Sequence, residues 1–447
     1  MKRSARRPLG VTRLIALGFL AVIALGTVLL MLPFSAKNGQ VTPFVNALLT
    51  ASSAACVTGL TVYDTFSHWS FFGQAVIISL IQIGGLGFVT VMALFARLLR
   101  RKVSLRERLL IQQSAGALTV GDVGSLVKKV ILATAAFEGA GTVLLAIRLC
   151  PKLGFFPGLW SAFFHSVSAF CNAGFDIFGR TAPGTSLISV SSDPVIMLTL
   201  SLLIIFGGIG FLVWSDLFRC RLSFKRLRLH SKLALVTTGT LLIFGFVFFT
   251  VTEWNGAFAG MGFFAKLLQG FFCSVTVRTA GFFTLDLTAL SAASLLIMCA
   301  LMFIGGSPGS TAGGTKTTTH AVLFASVIAT VRRKNSVTAL GRRLSEGSVR
   351  LAGAVCTVYI VAIILFTSAI SLLESTDLMT ALFEVTSALG TVGLSLGLTP
   401  TLCVASKLII SFLMFAGRVG GLSLALVITE KRDSGAVEKP EESVLIG

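Results

Sequence analysis

The tripeptides Val57-Thr58-Gly59, Asn172-Ala173-Gly174, Thr279-Ala280-Gly281 and Thr391-Val392-Gly393 each follow an apolar stretch too short to cross a bilayer. Their glycines stand 115, 107 and 112 residues apart, so the 447-residue chain reads as one unit repeated four times. A short apolar descent ending in glycine suits a re-entrant segment, whose backbone leaves the helix inside the membrane and must line water or be buried in protein. Turning successive carbonyls toward one axis needs backbone angles that a Cβ disfavours, and four such loops could replace the water shell of a monovalent cation. These twelve residues are the candidate filter. Glycine used for close helix packing accounts for one such tripeptide, and poorly for four in register.

Composition sets the solvent. The chain is 54% hydrophobic and 12% charged, with a mean hydropathy of +0.91, which excludes an ordinary soluble domain. Uncharged stretches of spanning length run from Leu14 to Leu32, Trp69 to Ala96, Val195 to Trp214, Leu233 to Val251 and Leu351 to Leu373. Three more are interrupted: Val130 to Ile147 by Glu138, Leu287 to Val331 around Gly305 to Lys316, and Leu402 to Ile428 by Lys407 and Arg418. The first span follows Lys2, Arg3, Arg6 and Arg7, lacks a convincing cleavage site and reads as a retained helix.

Basic clusters at the amino terminus, Arg97 to Arg108, Arg219 to Lys232 and Arg332 to Arg350 occupy every second connection, which places both termini in the cytoplasm of a cell-membrane protein. The net charge of +19 is then topology rather than a nucleic-acid footprint, and no nucleic-acid partner is expected. The re-entrant segments Phe44 to Cys56, Gly158 to Cys171, Met261 to Val277 and Leu378 to Gly390 all fall on the outer side. The expected fold is an all-α integral membrane protein of eight spans, in four tandem span, pore-helix, filter-loop, span repeats around one pore. The repeats cover 14–108, 109–231, 232–345 and 346–430, between cytoplasmic tails at 1–13 and 431–447.

In register, Ser53, Ser168 and Ser387 lie six residues before their glycines, with Val275 in the third unit, as small residues that favour close packing. Gly84-Gly85, Gly207-Gly208, Gly305-Gly306 and Gly417-Arg418 follow the filter glycines by 25, 33, 24 and 24 residues. A helix cannot run unbroken through Gly305-Gly306-Ser307-Pro308-Gly309-Ser310-Thr311-Ala312-Gly313-Gly314 toward Lys316, so an intramembrane loop is expected there, either an obstruction beneath the filter or a simple helix break. Arg418 belongs at the same depth, where a charge needs water or a partner. It either faces the path and meets the loop or pairs with an acid such as Glu138 or Glu384.

These residues carry a resemblance. Cys171-Asn-Ala-Gly-Phe175, Arg278-Thr-Ala-Gly-Phe282, Gly390-Thr-Val-Gly-Leu394, Gly305 to Gly314 and Phe415-Ala-Gly-Arg-Val-Gly420 resemble the Trk/Ktr/HKT superfamily of potassium transporters, and most closely its Ktr-type membrane subunits. Gly421 departs from the proline expected in many relatives. The resemblance implies potassium uptake, a gating loop at Gly305 to Lys316 with Arg418, and a homodimer with one pore per protomer. It also implies a cytosolic nucleotide-binding ring of the KtrA type, with no organic cofactor in this chain. A tail ending Val444 to Gly447 is implied at the dimer interface. Sodium dependence, or a sodium-permeable or nonselective pore, stays open as the alternative. Serine in the first filter position accompanies sodium transport in plant relatives, and this chain has Gly59.

The four histidines and eight cysteines show no metal-ligand spacing, no structural disulfide is expected, and no Ser/His/acid set or nucleotide loop supports an enzyme or scaffold. Asp64, Asp176, Arg278, Asp286 and Glu384 lie near the filters, where acids would concentrate cations.

Overall fold

The computed structural model describes residues 11–87, 123–179, 184–221 and 223–420. The cluster from Arg97 to Arg108, most of the amino-terminal tail, Gly421 and the carboxyl-terminal tail lie outside the described residues.

Grouped by the four repeats expected from sequence, the first unit holds α1 (Val11–Met31), which begins within the expected tail, α2 (Phe44–Ala55), α3 (Thr65–His68) and α4 (Phe71–Leu86). The second holds α5 (Val123–Leu153), α6 (Phe155–Phe170), α7 (Pro194–Ile209) and α8 (Phe211–Arg219). The third has α9 (Leu229–Thr252), α10 (Phe263–Thr276), α11 (Ala292–Ile304) and α12 (Thr317–Val331), and the fourth α13 (Glu346–Glu374), α14 (Leu378–Gly390) and α15 (Val404–Val419). A two-stranded hairpin, β1 (Thr338–Ala339) with β2 (Arg342–Arg343), lies between α12 and α13. Helices α1, α5, α9 and α13 contain stretches long and apolar enough to cross a membrane, while α2, α10 and α14 are short apolar helices.

Local chemistry sets the starts. The side chains of Ser70, Asp193, Ser291, Ser345 and Asp377 each accept a backbone N–H from the first turn of the helix that follows, and Pro194 opens α7 with its φ already set. The stops are more informative. The uninterrupted apolar run Val195 to Trp214 reads as one straight span, but it breaks at Gly210 (φ +103°), and α8 leaves α7 at 89°. Helices α4 and α15 end in the same way on Gly87 (φ +80°) and Gly420 (φ +97°). Each break lies three residues beyond Gly84, Gly207 or Gly417, and a Cβ on any of those three would strike the carbonyl of Ala55, Phe170 or Leu389, four residues before Gly59, Gly174 and Gly393 respectively.

The repeats close on themselves. Helix α6 packs on α4, α10 on α7, α14 on α11, and α2 on α15, so each short helix touches the second apolar helix of the preceding repeat and the first touches the last. Four core clusters among the described residues follow these seams, holding Leu49 with Met414, Ile81 with Phe175, Leu200 with Phe272, and Met302 with Phe383, and a smaller one joins Ile209 and Val213 to Ala234. Between apolar helices in lipid it is close packing, more than exclusion of water, that holds such seams.

Candidate functional site

The four tripeptides meet in one ring. A Cβ on Gly59 would lie 2.6 Å from the Ala173 carbonyl oxygen, and one on Gly174 would lie 2.7 Å from that of Ala280. Gly281 abuts the Val392 carbonyl in the same manner, and Gly393 abuts that of Thr58. The carbonyl oxygens of Thr58, Ala173, Ala280 and Val392 therefore alternate with the four glycines around a closed circuit. The backbone is left-handed at every glycine and also two residues earlier, at Val57 (φ +58°), Asn172 (+59°), Thr279 (+68°) and Thr391 (+51°). For β-branched Val57, Thr279 and Thr391 that conformation is a real outlier, costing of order 1–3 kcal/mol each and pointing to a functional constraint.

Hydroxyls behind the ring hold this geometry. Ser53 and Ser387 accept the N–H of Gly59 and Gly393, each at 3.0 Å. Ser168 instead donates to the Phe175 carbonyl at 2.7 Å, and in the third repeat Thr276 donates to that of Phe282 at 2.5 Å. The serines are thus hydrogen-bonding struts rather than merely small packing residues. Val275 has no counterpart function because the hydroxyl has moved one position along to Thr276.

Above the ring all four glycines line a cavity of about 440 Å³ together with Asp64, Asp176 and Asp286. The Thr288 hydroxyl and N–H both donate to Asp286, at 2.7 and 2.9 Å, and hold its carboxyl below the usual range. Acids at such a mouth raise the local concentration of cations. Glu384 is set back from it, accepting from Ser395 at 2.7 Å and from the Thr399 hydroxyl.

Beneath the ring runs the segment from Gly305 to Lys316. Its backbone N–H groups at Ser307 and Thr311 donate to the carbonyls of Gly208 (3.0 Å) and Gly207 (3.3 Å), and its Gly309 carbonyl accepts from Phe211 at 2.8 Å. Thr311 Oγ1 reaches the Phe170 carbonyl at 3.0 Å, while a Cβ on Gly313 would strike the Thr391 hydroxyl. Lys316 Nζ donates back to the carbonyls of Ala312 (2.9 Å) and Gly313 (3.2 Å), tying the end of the loop to its middle. Gly306 is packed on Ala312, and Ser310 donates to the Ser307 carbonyl, so Pro308 sits at a compact turn. The guanidinium of Arg418 donates to the carbonyls of Thr311 and Gly84, and to that of Gly85 at 3.3 Å. It joins the loop to the end of α4, and it forms no ion pair among the described residues. Neither acid considered for it is its partner: Glu138 accepts from Gln82 at 3.2 Å and Glu384 from the two hydroxyls above. Arg278, expected from sequence to flank the third tripeptide, is buried and donates to the Gly305 carbonyl.

Residues 13–439 match the TrkH family, described as cation transport protein. The chain is 39% identical to the potassium/sodium uptake protein NtpJ of Enterococcus hirae, covering 100% of this chain and 99% of that protein. It is 38% identical to the Ktr system potassium uptake protein B of Bacillus subtilis, over 97% and 96% of the two chains. The crystal structure of the potassium transporter TrkH from Vibrio parahaemolyticus superposes with a TM-score of 0.76 at 17% identity, covering 96% of this chain and 87% of that one, and so shares the fold. A ring of four glycine-ended loops in one helical chain thus coincides with full-length sequence similarity, and the chain belongs to the TrkH/Ktr family of cation transport proteins.

Proposed function

We propose that this chain is the ion-translocating membrane subunit of a Ktr-type potassium uptake system. The observation that carries the reading is the closed circuit of carbonyls from Thr58, Ala173, Ala280 and Val392 interleaved with Gly59, Gly174, Gly281 and Gly393. Such a ring offers a partly dehydrated monovalent cation a shell of oxygen dipoles on a rigid frame. Potassium approaches through the acid-lined cavity, sheds water against the carbonyls, and then meets the Gly305 to Lys316 loop with Arg418, which act as the gate. A fixed guanidinium below the ring opposes cation passage while the loop stays seated.

In this reading eight spans cross the cell membrane, the bent α7/α8 pair being one of them, and both termini are cytoplasmic. A homodimer carries one pore per protomer, and a nucleotide-binding ring of the KtrA type docks on the basic cytoplasmic connections. The name of the Enterococcus hirae relative, a potassium/sodium uptake protein, supports a second reading in which sodium permeates or drives the same path. Rubidium and sodium flux into liposomes, with and without the cytosolic partner, separates the two. Rubidium flux that outruns sodium flux and responds to the partner is expected. Equal fluxes favour the second reading, and no cation flux in either condition refutes both.

A further inference from the structure

Three residues before each ring glycine stand Cys56, Cys171, Arg278 and Gly390. Only the third repeat places a charge there. Arg278 is 7% exposed, has an Nε without a hydrogen-bond partner, and has no carboxylate within ion-pair distance among the described residues. Its Nη2 donates to the Gly305 carbonyl at 3.2 Å and its Nη1 to the Thr238 carbonyl of α9 at 3.5 Å. A buried cation bound only to carbonyls is costly, and the other three repeats build the same position from Cys or Gly.

The acceptor explains the placement. Gly305 is where α11 stops, with φ +56° and ψ −154°, and a Cβ on it would meet the carbonyls of Gly313 (2.5 Å) and Thr315 (2.7 Å). Both ends of the intramembrane loop therefore close on Gly305, which forms its neck. At the other end of the same residue, the Arg278 main chain continues directly into Thr279, whose left-handed backbone begins the third filter loop. One side chain thus links the neck below to the strained ring above.

We propose that Arg278 is a positioning residue that ties the neck of the loop at Gly305 to the third filter loop at Thr279, so that displacement of the loop changes the geometry of the ring. The proposal rests on the reading of the loop as gate and the ring as filter. The test uses the full chain in liposomes, with flux counted per correctly assembled protein. Arg278→Gln is expected to raise basal rubidium flux about tenfold, the scale of one charge-assisted hydrogen bond, and to lower rubidium-over-sodium discrimination. Arg278→Lys, which keeps the charge but cannot span two carbonyls, is expected to fall between Gln and wild type. In protein lacking residues 308–312, Arg278→Gln is expected to change flux no further, because the neck no longer restrains anything.

An equal rise from Arg278→Gln with and without the loop would overturn the proposal, since the charge would then act on the ion directly. Wild-type flux and discrimination in assembled Arg278→Lys would overturn it too, and that variant decides if the Gln protein does not assemble. A deletion that leaks while both Arg278 variants behave as wild type refutes this proposal and leaves the gate reading intact. A silent deletion refutes the gate reading and this proposal with it.

Discussion

Gly59→Ser probes the ring most directly. The new Cβ would sit 2.6 Å from the Ala173 carbonyl oxygen, whereas ordinary contact begins at 3.4 Å, so the loop or the carbonyl must give by the difference, 3.4 − 2.6 = 0.8 Å. The site also demands φ +99°, a conformation that strains any L residue. Strain of this kind costs about 1–3 kcal/mol. If it falls mainly on the carbonyl spacing that distinguishes potassium from sodium, discrimination should drop by roughly 5- to 140-fold at 1.4 kcal/mol per decade. The hydroxyl adds an oxygen that suits the smaller ion. Gly39→Ser is the matched control: its φ is also positive, at +70°, but no atom lies within 4 Å of its Cβ position. Strain alone there should cost some stability and leave selectivity untouched. The assay is rubidium and sodium flux into liposomes, normalised to assembled protein. Wild-type discrimination in Gly59→Ser would refute the filter assignment, and an equal loss in Gly39→Ser would show that crowding at the ring is not the cause.

Deleting residues 308–312 should raise basal flux and weaken its dependence on the cytosolic partner; an assembled deletion protein with unchanged flux would make the loop a passive break. Arg418→Ala should raise flux by about tenfold or more, since it removes charge-assisted bonds to the carbonyls of Thr311 and Gly84 that are each worth roughly 1.5–3 kcal/mol, while Arg418→Lys keeps much of the barrier. A destabilised alanine protein with normal flux per molecule would count against the barrier. Asp193→Ala should lower thermal stability by about 1 kcal/mol through loss of the α7 cap. Burial raises the Asp193 pKa, but hydrogen bonds from Arg148, Lys152 and the Ile196 N–H outweigh it and leave the carboxyl below its usual value. The charge-dependent part of its stabilisation is therefore complete above the unfolded pKa near ~3.9 and is lost as pH falls through the lower folded value, so the gap between the alanine and wild-type proteins should narrow in acid; a difference in melting temperature that does not narrow there would exclude this source.

The spacing of Gly59, Gly174, Gly281 and Gly393 made the ring legible, because a repeat that converges on glycine leaves a periodic trace in the sequence. Depth counting also brought Arg418 to the loop before any contact was visible. The bend at Gly210 left no such trace. Hydropathy runs evenly from Val195 to Trp214, and a glycine in an apolar helix usually means only close packing. The opposite roles of Ser53 and Ser168 were equally hidden, since a hydroxyl can donate or accept and the choice depends on which backbone group the loop presents. Arg278 was placed beside the third tripeptide, but its bond to the Gly305 carbonyl was hidden, because sequence gives the order of residues along a re-entrant segment and not which neighbour a side chain reaches.

The helix breaks and the Gly305 to Lys316 loop are parts of one arrangement. A helix that stops leaves the carbonyls of its last turn without intrahelical donors, and inside a membrane those groups must be satisfied by protein. The stop at Gly210 exposes the carbonyls of Gly207 and Gly208, which are the two that receive the N–H groups of Thr311 and Ser307. At the stop on Gly87, the Gly84 carbonyl keeps the Gly87 N–H at 3.2 Å, and the Arg418 guanidinium donates in addition to Gly84 and Gly85. The first and second repeats thus provide acceptors at one depth, the third inserts donors there as a loop, and the fourth inserts them as a charged side chain. Moving the loop strips donors from Gly207 and Gly208, and moving Arg418 leaves Gly84 with the Gly87 N–H alone, so a seated loop is favoured until other groups take the place of those donors. In the proposed gate reading a cation takes that place, because the vacated carbonyls are oxygen ligands like those of the ring above, and the same broken helix ends would then serve as a latch when closed and as a continuation of the ion path when open.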